Sequence, residues 1–147
     1  MKYNFSLDED NVCLKYKDKQ FNFKVNVKLI SEMQGLVMEA RKRMIQDFAK
    51  NGQSIKDLTI EYKKDGKTYY DNSNKTELER IYQEQTTIDF FNGKCEEYFG
   101  MDLANLMMDI GLETEDEGTK FSNELISYMS GNSIKENAIP RQSTNKS

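Results

Sequence analysis

Histidine and tryptophan are absent from this 147-residue chain, and proline occurs once, at Pro140. Without histidine the commonest general base and the commonest metal-ligating side chain are both missing. A single proline so late leaves the preceding chain free to run as uninterrupted helices. The two cysteines, Cys13 and Cys95, lie far apart in the sequence. They do not make a disulfide framework, and buried, reduced thiols are expected. No apolar run approaches the ~18 residues of a membrane span, and no apolar core follows a basic start. The expected location is therefore cytoplasmic, with no membrane partner.

What is present is charge. Charged residues make up 31% of the chain and apolar residues 37%, with a net charge of −4. The distribution is uneven. Residues 1–75 carry 15 Lys and Arg against 11 Asp and Glu, whereas residues 76–147 carry 6 against 14. An acidic second half argues against general nucleic-acid binding, which needs a broad basic face. Such a polar chain has the charge pattern for association of its copies, so a homo-oligomer is one expectation. Ordinary surface variation is the other.

Period-two patterning opens the chain. Tyr3, Phe5 and Leu7 alternate with polar residues, as do Val12, Leu14 and Tyr16, then Phe21, Phe23, Val25, Val27 and Leu29. This predicts antiparallel strands with one dry face, joined by a turn at residues 17–20. From Leu29 to Phe48 the period becomes helical, with Ser31 and Gln34 as a capping box, Gly35 inside and Asn51-Gly52 as the stop. Leu58 to Tyr62 and Thr68 to Tyr70 alternate around Asp65-Gly66, a strong hairpin signal. Core packing or cross-strand pairing accounts for Tyr62, Tyr69 and Tyr70; exposed, they would instead mark a binding surface.

The longest apolar stripe runs from Leu78 to Phe99, through Ile81, Tyr82, Ile88, Phe91 and Cys95, with Thr76 and Glu79 as its capping box and a kink expected at Gly93. Asp102 is placed to cap a short helix ending at Gly111. An acidic loop, Glu113 to Gly118, precedes a last helix over residues 119–130. The expectation is one α+β domain over residues 1–131: N-terminal antiparallel strands and a mid-chain hairpin packed with about four helices, two of them long and amphipathic. Residues 132–147 are too poor in apolar side chains to offset their ordering entropy and are expected to be a disordered tail.

Chemical motifs fail on inspection. Gly66-Lys67-Thr68 ends like a phosphate-binding loop, but the glycine required five positions earlier is Glu61. Glu113, Glu115, Asp116 and Glu117 lack the order of a calcium loop. No serine sits in a nucleophile elbow, and neither cysteine has an activating context. No catalytic residue, cofactor, metal or small-molecule substrate is predicted, and the chain reads as a non-enzyme. The residues singled out for partner binding are Met38 and Met108, which fall off the main stripes, the basic run Arg41-Lys42-Arg43, and the acidic group Glu113, Glu115, Asp116 and Glu117.

Three segments carry a family resemblance. Val12-Cys-Leu-Lys-Tyr-Lys-Asp-Lys-Gln-Phe-Asn-Phe, then Asn26-Val-Lys-Leu-Ile-Ser-Glu-Met leading into the first helix, then Ile88-Asp-Phe-Phe-Asn-Gly-Lys-Cys-Glu-Glu-Tyr-Phe-Gly, together resemble the tail assembly chaperones of tailed bacteriophages. The likeness covers residues 12–50 and 76–130; the hairpin at 58–70 and the long acidic segment after Gly100 depart from the pattern. It implies a small phage or prophage protein, working in the host cytoplasm, that holds the tape measure or tail tube protein before assembly. Two alternatives stand beside it. One is a small phage-encoded inhibitor binding a host defence protein through its acidic half; the other is a structural tail component.

Overall fold

The computed structural model describes residues 1–131, and the tail expected over 132–147 lies outside the described residues. The architecture is α+β. Contacts group the chain into two compact units, Met1–Met33 with the chain from Phe91 onward, and Gln34–Phe90.

The first unit opens with a three-stranded antiparallel meander, β1 (Asn4–Asp8), β2 (Asn11–Tyr16) and β3 (Lys19–Lys24), in the order β1-β2-β3. The register sets Phe5 against Leu14 and Leu14 against Phe21, so one face of all three strands is apolar. The second turn is shorter than expected. Only Lys17 and Asp18 form it, Lys17 takes a left-handed φ of 52°, and Lys19 and Gln20 already belong to β3.

Helix α1 (Val27–Gln34) starts where the sequence reading continued a strand. The Asn26 side chain accepts from the Leu29 backbone N–H at 2.8 Å, capping the helix there. Val27 is consequently 83% exposed instead of facing the core, and Ser31 lies inside the helix and does not cap it. Gly35 separates α1 from α2 (Leu36–Lys50), so the single predicted helix is two.

The remaining elements among the described residues of the first unit are helices: residues 91–99 of α3 (Ser73–Phe99), α4 (Leu103–Ile110) and α5 (Glu115–Met129). Gly93, the expected kink position, lies within one continuous α3, and Gly100 follows its end as expected. Asp102 caps α4 as expected, accepting from Asn105 N–H at 2.9 Å, and Gly111 closes it with φ 97°. The last helix begins four residues earlier than predicted. Thr114 and Glu117 form a capping box, so Glu115, Asp116 and Glu117 are the first turn of α5 and not a loop. Three carboxylates at a helix N-terminus are electrostatically favourable there.

The core of this unit is aromatic. Tyr3 and Phe121 meet edge to face at 5.0 Å, and Phe5 stacks on Tyr128 at 5.0 Å. Phe23 stacks on Tyr98 at 4.6 Å and meets Phe99 edge to face at 5.9 Å. Val12, Leu14, Cys95, Leu106, Phe121 and Met129 are all sealed from solvent. Two buried tyrosines anchor the sheet to the helices, Tyr16 donating to Asp109 at 2.7 Å and Tyr3 donating to Glu124. Burial, then the adjacent carboxylate, pushes both phenols well above their ordinary range.

The second unit holds α2, a short 3-10 turn at Ile55–Leu58, the hairpin β4 (Ile60–Lys64) and β5 (Lys67–Asp71), and residues 73–90 of α3. Asp65 and Gly66 form the predicted turn, with φ of 54° and 75°, as a type I′ hairpin requires. Helix α3 starts before the Thr76 box. The Asp71 carboxylate accepts from Ser73 N–H at 2.9 Å and from the Ser73 hydroxyl, which sets the helix going at Ser73. Arg41–Glu79 at 3.2 Å, Arg43–Asp89 at 3.0 Å and Tyr82–Asp47 at 2.7 Å link α2 to α3.

Candidate functional site

Apolar side chains are distributed very differently between the two units. Among the described residues, the Gln34–Phe90 unit contributes only Ala40 and Met44 to the buried apolar core. The same unit exposes Val37, Met38, Ile45, Ile60, Tyr62, Tyr69, Tyr70, Ile81 and Ile88. Among the described residues, the first unit exposes only Met1, Val27, Met108 and Ile126 of its large apolar side chains. Scattered exposed apolar residues are normal in a soluble protein. Nine in a segment with so little core of its own is an unusual share of exposed apolar side chains.

Helix α3 displays the asymmetry along a single stripe. Ile81, Ile88 and Cys95 are spaced by seven residues and so lie nearly in line on the helix. Cys95 is fully buried, but Ile81 is 46% and Ile88 is 53% exposed. Leu78, Ile81, Gln85 and Ile88 also follow the alternating three-and-four spacing of a helix-pairing seam. Glu77 and Glu84 flank it, both bridged by Arg80, at 2.5 Å and 2.6 Å.

On α2 the exposed residues Val37, Met38 and Ile45 share an arc with Arg41 and Lys42. Met38 is 75% exposed, in keeping with its place off the main stripe. The basic run does not act as one patch. Arg41 reaches Glu79, Arg43 reaches Asp89 and, at 3.5 Å, Glu39, and Lys42 stands exposed beside Met38.

Of the two explanations for the hairpin tyrosines, core packing and cross-strand pairing, the structure shows the pairing. Every residue of β4 is exposed, and Tyr62 and Tyr69 stack across the strands with ring centroids 5.5 Å apart. Tyr70, on the opposite face, is 63% exposed. The cross-strand pair is real, but it is a solvent-facing pair. Alternation predicts which residues share a face; it carries no information on whether anything covers that face.

The second group of predicted residues gathers in the first unit. Met108, 70% exposed, and Glu113 and Glu115 line a groove of about 610 Å³ between α4 and α5, with Ala104, Leu112, Gly118 and Ser122. Asp116 and Glu117 are not among its lining residues. Glu117 instead accepts from the Glu113 and Thr114 backbone N–H groups and pairs with Lys2 at 3.2 Å. The Glu113 N–H, then Lys2, then the Thr114 N–H hold its carboxyl down to about 2. Glu117 is thereby structural. Cys95 is equally unsuited to chemistry, since burial, with Asp102 and Glu96 nearby, pushes its thiol up to about 12.

Comparison of the chain with protein-family models, with curated proteins and with solved structures returns no match. Among the described residues no helix is long and apolar enough to cross a membrane, and no group of three or more Cys, Asp or Glu is arranged to hold a metal ion.

Proposed function

We propose that this protein is a non-enzymatic binding protein that holds another polypeptide against the apolar surface of residues 34–90. In the form that the resemblance implies, it is a phage or prophage tail assembly chaperone, and the polypeptide is a tape measure or tail tube protein. The observation that carries the reading is the α3 stripe, which continues bare through Ile88 and Ile81 once its buried part at Cys95 and Phe99 has ended. An amphipathic helix of a partner can lie along such a stripe, with i and i+7 contacts. Met38 adds an adaptable thioether, and the stacked Tyr62–Tyr69 pair adds rigid aromatic area at low entropy cost.

The test is co-expression with tape measure and tail tube proteins of tailed phages, followed by affinity capture. The chaperone reading expects one of them to co-purify with the wild type, and the Ile81→Asp/Ile88→Asp variant to lose it while keeping its helical circular dichroism. Recovery of a host defence nuclease instead would establish the inhibitor reading. That alternative draws on the acidity of residues 100–131, where Lys120 stands against seven Asp and Glu.

A further inference from the structure

The α4–α5 groove has the shape and charge of a helix-docking site, and it is built entirely from residues 104–123. Its lining combines small side chains with two methionines, Met107 and Met108. Ala104 comes from α4, and Gly118 and Ser122 come from α5. Small residues on two neighbouring helices let a third helix approach closely and settle its ridge between them. A methyl group added at Gly118, which lines the groove, would meet only the Met107 sulfur, at 3.4 Å. Met108 forms an exposed, polarisable lip.

Charge selects among possible occupants. Glu113 and Glu115 sit on the groove, and residues 100–131 carry one lysine against seven carboxylates. Lys2 reaches Glu113 at 3.3 Å but leaves that side chain 82% exposed. Two glutamates beside the apolar Met107, Met108 and Leu112 repel nucleic acid and acidic helices and attract a cationic amphipathic one. We propose that the α4–α5 groove docks a basic amphipathic helix of a partner protein, its apolar stripe on Ala104, Met108 and Gly118 and its lysines or arginines facing Glu113 and Glu115. None of the groove's lining residues belongs to residues 34–90.

The probe is a fluorescein-labelled peptide of about 18 leucines and lysines patterned with helical period, titrated with the full chain and followed by anisotropy. Binding is expected with a Kd on the order of 10 μM, weakening as salt is raised. Gly118→Leu, which fills the groove while favouring helix, should weaken binding by about tenfold or more. Met108→Gln, at an exposed position, removes the thioether lip without adding charge and tests the same contact. Ile81→Asp/Ile88→Asp should leave the titration unchanged, which separates this site from the mid-chain surface. The proposal is overturned if the peptide fails to bind below about 1 mM, if a glutamate-for-lysine peptide binds equally well, or if both groove variants bind like wild type. Self-association of the wild type that Gly118→Leu abolishes would also overturn it, by making a second copy the occupant.

Discussion

The chain's two units put the same kinds of residue to opposite uses. In the sheet unit the aromatic side chains turn inward: Tyr3, Phe5 and Phe121 cluster, as do Phe23, Tyr98 and Phe99. In the unit of residues 34–90 the hairpin tyrosines face water, and the isoleucines of α3 do too. Apolar patterning was present in both. What separates them is supply: the three-stranded sheet offers a broad dry face to close over, whereas a two-stranded hairpin is marginal alone and offers little. Stability is thus expected to reside in the first unit, and the polypeptide-holding surface proposed above lies in the second.

Breaking the first unit should have the largest effect. Phe121 is fully buried, and Phe121→Ala is expected to cost about 3–5 kcal/mol, read as a lowered denaturant midpoint. A loss under about 1 kcal/mol would mean that the aromatic cluster is not where stability resides. Removing the α5 cap by Thr114→Ala should cost about 1 kcal/mol, because the side chain satisfies the Glu117 N–H.

Acid acts on the same helix end. The Glu117 carboxyl titrates near 2 when folded, below its ordinary 4.5, so the folded state binds its proton less readily. Its contribution is therefore complete above about pH 4.5 and disappears as the pH falls towards 2. Acid titration of wild type and Glu117→Gln should show a shallower loss of stability in the variant across that window; parallel curves would remove Glu117 from the account.

At the small end, Ile81→Ala and Ile88→Ala should each change stability by no more than about 0.5 kcal/mol, as exposed positions do. A loss several times larger would place them in a core and erase the contrast between the units. Chemical labelling sharpens it from the other side. Cys95, buried and with its thiol raised to about 12, should resist alkylation at pH 8 until the protein is unfolded. Rapid native labelling of Cys95 would show that the stripe is open there too.

Much of this was legible in the residues and some was not, for definable reasons. Asp65-Gly66 and the Asp102 to Gly111 helix were readable because turn and cap chemistry is local. The start of α1 was not, because Val25, Val27 and Leu29 satisfy a period of two while Asn26 offers a cap, and the cap prevails. The N-terminus of α5 was hidden by reading a run of carboxylates as loop, although such a run suits the first helical turn. Met38 and Met108 could be found because each falls off its helix's stripe. Ile81 and Ile88 could not, since they lie in line with buried Cys95 and only the three-dimensional cover distinguishes them.

Hydrogen exchange, followed by mass spectrometry on the free protein and on its complex with a captured partner, tests the central claim most directly. If residues 34–90 are the gripping surface, amides of α2, the hairpin and residues 73–90 of α3 exchange more slowly in the complex, while those of β1 to β3 stay as they are. Unchanged exchange throughout residues 34–90, with protection confined to the sheet, would contradict it.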